Sequence, residues 1–124
     1  MTKRAVLLTL SALAVVALQT GCSEKVVTYQ TDIKPIIEAN CVSCHVAGAP
    51  GYEKSGLLMD SYESLMKGTK FGAVVIPGSS VSSTLYRLVS GQADPSIRMP
   101  HGSASLPDQD VAAIAAWIDQ GAKN

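Results

Sequence analysis

Apolar side chains between Thr31 and Cys41 fall on one side of a helix: Ile33, Ile37 and Cys41 step by four, and Ile36 widens the stripe. Thr31 or Asp32 can cap its exposed amides, and Pro35 is tolerated in a first turn whose donors lack helical partners. A second periodic run closes the chain. Val111, Ile114, Ala115 and Ile118 recur at helical spacing, Pro107 suits the opening turn, and Gly121 marks the exit. Ser105 and Asp108 are placed to form a reciprocal capping pair. Alanines at 112, 113, 115 and 116 permit close helix approach, and Trp117 reads as a core residue whose N–H needs a partner. Between these runs the pattern predicts short helices over Tyr62–Lys67 and Ser83–Val89. Asp60 or Ser61 caps the first and Gly68 ends it; Leu85, Leu88 and Val89 face inward on the second, which Gly91 closes. Ala47–Gly56, with three glycines and a proline, and Lys70–Ser80, with its Pro77-Gly78 turn signal, read as loops. Phe71–Ile76 favours β structure but is short and hemmed by turn formers. The expected fold class is all-α.

The first 21 residues follow a different logic. Lys3 and Arg4 precede a mostly apolar stretch, Ala5–Leu18, which is too short for a standard bilayer span and reads as a processed export signal. A retained membrane anchor is the alternative. Val16-Ala17-Leu18-Gln19-Thr20-Gly21-Cys22 resembles bacterial lipoprotein signals, in which a small residue precedes a cysteine that becomes lipidated. Leu18 lies one place earlier than that pattern has it, and ordinary cleavage leaving Cys22 unmodified is the competing outcome. Ser23 after the cysteine resembles outer-membrane sorting. The division expected is therefore a signal over 1–21, a membrane-proximal tether over 22–30, and one domain over 31–124. Ser23–Gln30, eight residues fully extended, reach about 26 Å.

Composition narrows the partners. The whole chain carries ten basic and ten acidic side chains; removing residues 1–21 takes Lys3 and Arg4 and no acid, leaving a formal charge of −2. That balance gives no support to a nucleic-acid partner. The remaining 103 residues suffice for one small core, which would gain from wrapping a large apolar cofactor.

The chemistry concentrates at Cys41-Val42-Ser43-Cys44-His45. In a C-x-x-C-H run two thiols can bond to the vinyl groups of one haem while the histidine ligates its iron. Haem also settles the cysteine count: if Cys22 carries lipid and Cys41 and Cys44 carry haem, no thiol is left over in an oxidising compartment. A dithiol-exchange site would want a βαβ setting, which the pattern lacks. Zinc held by Cys41, Cys44, His45 and His101 is open by composition, though adjacent Cys44 and His45 do not match the usual zinc spacing. The iron's second axial position needs a distant residue. Met99, in Arg98-Met99-Pro100-His101-Gly102, is the leading candidate, because Pro100 restricts the backbone that presents it. His101 would instead make a bis-histidine site or face solvent. Met59 and Met66 read as core.

With these segments in view, the chain resembles class I cytochromes c, in particular the small planctomycete-type bacterial domains, over roughly Thr31–Ala122. Ile33-Lys34-Pro35-Ile36-Ile37 before the motif looks like the family's first helix, Ser55-Gly56-Leu57-Leu58-Met59-Asp60-Ser61-Tyr62 like the segment after it, and Val75-Ile76-Pro77-Gly78 with Ser83-Thr84-Leu85-Tyr86 like another recurring portion. Arg98-Met99-Pro100 matches the axial-methionine motif, and Leu106 to Ala122 the closing helix. The resemblance implies a compact class I cytochrome c fold around one covalently bound haem c, with Cys41, Cys44, His45 and Met99 as haem-binding residues and His45 and Met99 on the iron. It also implies a non-enzymatic carrier cycling Fe(III)/Fe(II) by outer-sphere transfer. The partners expected are a redox protein or respiratory complex, and a membrane reached through lipidated Cys22, in the bacterial cell envelope facing the periplasm. A haem peroxidase or oxidase-like module with a labile distal ligand, or a haem-based sensor or assembly protein, are the alternatives. Pro77 either packs near the haem face or fixes a turn, and Tyr52, Tyr62 and Tyr86 either reach haem propionates or support the fold.

Overall fold

Thr28 starts the first helical element, and the reason lies in Asp32 and Pro35. In a computed structural model, which describes residues 24–124, the Thr28 hydroxyl accepts from the Thr31 amide while Asp32 accepts from the Thr28 amide at 3.0 Å. This reciprocal cap begins three or four residues earlier than the pattern predicts. The first turn, Tyr29–Ile33, is π-wound, with Lys34 N–H reaching Tyr29 O; Pro35, which has no N–H, follows within the first α-helical turn. Helix α1 then runs Lys34–Asn40 and delivers the chain to Cys41, whose amide donates to Ile37 O.

Four further helices follow: α2, Pro50–Ser55; α3, Tyr62–Lys67; α4, Thr84–Val89; and α5, Asp108–Asp119, with a 3₁₀ turn at Pro95–Ile97. Helix α3 has the predicted bounds, with Ser61 as its cap and Gly68 at its end. Helix α4 begins one residue late because Ser83 occupies the cap position. Helix α2 replaces the loop expected over Ala47–Gly56: Pro50 is preset for the first helical position, and Gly56 (φ 72°) ends the helix in the left-handed region. The Ser105–Asp108 capping pair does not form. Pro107 is the cap residue, so Asp108 opens the helix instead of closing its first turn, and Asp108 and Asp110 act through the helix dipole. Among the described residues the only bridge pairing is Thr69 with Gly72, so Phe71–Ile76 is not a strand.

The core forms where the first turn and α4 meet α5. Ile33, Ile37, Ile114 and Ile118 are fully buried, as the apolar spacing implied, and Leu65 and Trp117 are fully buried with them. Tyr29 packs between Tyr62 (ring centroids 5.4 Å apart, edge-on) and Trp117 (6.0 Å). Trp117 is a core residue, and its indole N–H donates to Lys123 O at 2.8 Å. Tyr29 N–H donates to the same carbonyl, and Gln120 holds Val27 N–H and Lys25 O with its side-chain amide. Docking therefore begins at Val27, within the segment read as tether. A short apolar pair, Val27 and Tyr29, is invisible to helical periodicity yet is clamped by the C-terminal end of the chain.

The irregular stretch before α4 is held by polar side chains. Buried Ser83 accepts from Ile76 N–H and donates to Ser79 O, while Asp119 accepts from both the amide and hydroxyl of Ser80. The Pro77-Gly78 turn is pinned to α5 by Gly78 N–H to Ile118 O, 2.7 Å. The result is an all-helical architecture consistent with class I cytochrome c.

Candidate functional site

Cys41 to His45 form a continuation of α1 wound into successive turns. Cys44 N–H donates to Cys41 O, and His45 N–H is shared between Cys41 O and Val42 O. Helix α2 folds back on this turn. Tyr52 N–H donates to Cys44 O (3.0 Å), and beyond the helix Met59 N–H donates to His45 O (2.8 Å). The motif is thus clasped at both carbonyls that flank the histidine ring.

His45 is buried, and its Nδ1 stands 3.3 Å from Leu57 O. With a carbonyl as its partner, Nδ1 must carry the proton and donate, which leaves the lone pair on Nε2. A backbone acceptor on the second ring nitrogen is the usual way a metal-binding imidazole is oriented and made more basic. Both neighbouring cysteines are free thiols. Cys41 is half-buried against the core, and that burial, reinforced by the nearby Cys44 sulfur, pushes its thiol up from 9.0 to about 11. Cys44 is exposed.

Met99 also borders the core that Cys41 and Val42 border, and its amide donates to Leu88 O at 3.2 Å. The Met99–Pro100 peptide is cis. Of its competitors, Met59 is buried in the core, Met66 packs against it from outside, and His101 is exposed. Among the described residues no three His, Cys, Asp or Glu side chains gather as a metal-ion cluster, which leaves the zinc reading without a site. Tyr62 commits its hydroxyl to Ala122 O at 2.8 Å and so supports the fold. Tyr86 packs against the core, and Tyr52 lines a surface cavity of about 430 Å³ with Leu58, Ser64 and Lys67. Cys22 and the signal segment lie outside the described residues.

Two free thiols three residues apart and an imidazole already held through Nδ1 form the donor set that covalent haem attachment requires. The residues fit the group. Leu57 is the functional residue that sequence reasoning missed, since it contributes only a carbonyl; Pro50 and Gly56, the punctuation of α2, were the available signal.

Fold and donor set together define a small c-type cytochrome. A family model described as Planctomycete cytochrome C matches residues 41–101, just under half of the chain, and marks a small cytochrome-c-like domain there. Neither the curated proteins nor the solved structures return a significant match. Members of the class are electron carriers rather than enzymes and take one haem c at such a Cys-x-x-Cys-His motif, here Cys41, Cys44 and His45. The family is one of exported cytochromes that work with a redox partner, and among the described residues no helix is long and apolar enough to cross a membrane.

Proposed function

We propose that this protein is a monohaem, membrane-tethered carrier that exchanges single electrons with a redox protein or respiratory complex without an open iron site. The observation that carries the reading is the buried His45 ring, its Nδ1 engaged by Leu57 O, directly beside two free thiols. The haem, when bound, would supply the Fe(III)/Fe(II) couple. Cys41 and Cys44 would hold it by thioether bonds. His45 Nε2 and the Met99 sulfur would hold the iron, and a thioether ligand would favour a higher potential than a second histidine would. Ile33, Ile37 and Trp117 supply the buried apolar body against which α1, the helix that leads into Cys41, is packed. Cys22, as a lipidated residue, would hold the domain at the periplasmic face of the envelope. With docking under way at Val27, the free tether is only a few residues long.

Intact mass of the matured protein tests attachment, with one haem added to the polypeptide expected. Spectra of the reduced and oxidised forms, with and without cyanide, test coordination. Six-coordinate, unreactive iron in both states is expected, and rapid cyanide binding by the native protein would refute the closed-site carrier. Replacing Cys22 with Ser should release the domain from the membrane fraction.

A further inference from the structure

Helix α2 comes closest to the site at Gly51. A methyl group built there would stand 2.6 Å from Cys44 O, 3.0 Å from Cε1 and 3.1 Å from Nε2 of His45. The first contact is against backbone, which cannot swing aside. The other two lie along the ring edge that carries the free lone pair. Gly51 has an ordinary helical backbone, so glycine is not needed for a left-handed turn. What it provides is close approach of one backbone to another group, a distinct use of glycine. The same helix donates Tyr52 N–H to Cys44 O, and the chain leaving it supplies the Leu57 carbonyl to Nδ1.

We infer that Gly51 is a positioning residue for the His45 imidazole: by lacking a side chain it lets α2 back the ring while the Cε1–Nε2 edge stays clear for iron. This rests on His45 being the axial ligand. A β-carbon at 51 must either lift α2, breaking Tyr52 N–H to Cys44 O and loosening Leu57 from Nδ1, or rotate the ring. In both cases the iron–imidazole geometry changes while the apolar core, built from other residues, is untouched.

The test is Gly51→Ala in the haem-loaded protein, beside Gly121→Ala. Gly121, at the end of α5, sits at φ 101° with nothing near its absent side chain, so it carries the cost of losing a glycine without touching the site. In Gly51→Ala the low-spin electron paramagnetic resonance g-values should shift, the His45 ring protons should move in the ferrous NMR spectrum, and Nδ1–H exchange should quicken by about tenfold, the loss of one ordinary hydrogen bond. Gly121→Ala should lose stability with all three signatures unchanged. If Gly51→Ala fails to accumulate, nuclear Overhauser contacts between the Gly51 α-protons and His45 Hε1 in the unsubstituted ferrous protein decide the matter, and their absence overturns the proposal. Unaltered g-values and ring shifts in Gly51→Ala overturn it as well. Failure of the underlying reading looks different: the unsubstituted protein would then lack a histidine-ligand signature altogether.

Discussion

Trp117 offers the sharpest check on the reading of the core. Its ring is fully buried, lies 6.0 Å from Tyr29, and donates its N–H to Lys123 O at 2.8 Å. In Trp117→Phe that hydrogen bond goes, at about 1 kcal/mol. Lys123 O still accepts from Tyr29 N–H, so no orphaned acceptor adds to the cost. The smaller ring leaves a void, so the total is about 2 kcal/mol, short of the ~3–5 kcal/mol of full truncation to alanine. A domain of this size loses roughly 4–8 °C per kcal/mol, so the haem-loaded variant should melt roughly 8–16 °C lower. Circular dichroism melts and guanidinium titrations measure this; potentiometry and electron self-exchange measured on the same samples should stay unchanged. A variant that melts with the parent but exchanges electrons more slowly would refute the structural role and make Trp117 part of the electron path.

Met99→Ala should open the iron, abolish the thioether-to-ferric charge-transfer band and admit cyanide, whereas Met59→Leu should keep the band and cost less than ~1.5 kcal/mol; an intact band in Met99→Ala would move the ligand elsewhere. In the folded chain before haem attachment, a Cys41 thiol raised from 9.0 to about 11 carries about a hundredfold less thiolate at neutral pH. Alkylation followed by mass mapping should therefore label exposed Cys44 first, with Cys41 reactivity climbing only as pH nears 11; equal rates near neutrality would show that Cys41 is not buried. Gln120→Ala removes the bonds to Val27 N–H and Lys25 O, so amide exchange at Val27 should accelerate and stability fall by about 1 kcal/mol.

The fold was legible wherever burial follows helical spacing. Ile33, Ile37, Ile114 and Ile118 all reach the core, because a stripe on an amphipathic helix has only one face to bury. Helix α2 escaped because it buries no residue fully: its stability comes from Pro50, Gly56 and the backbone bond from Tyr52 N–H to Cys44 O, none of which leaves an apolar pattern. The clamp of Val27 and Tyr29 on the C-terminal end escaped for another reason, being set by contacts nearly a hundred residues apart. The donor residues were legible through chemistry, since Cys41, Cys44 and His45 are fixed by covalent spacing. The Leu57 carbonyl was not, because every residue has one.

The two halves of the site differ in how they are held, and that difference has consequences. On the histidine side everything is local: Cys41, Cys44, His45, Gly51, Leu57 and Met59 fall within nineteen residues and are bound by backbone bonds that form with α2 itself. On the methionine side Met99 comes from a stretch, residues 91–105, in which no side chain is fully buried and a single 3₁₀ turn is the only helix. Segments with few buried contacts open at lower free energy than the core they cover. On the proposed ligation, the imidazole would be the firmly held ligand and the thioether the more easily released one. Potential and ligand access should respond to changes in the 91–105 loop, while substitutions in α2 act on attachment geometry.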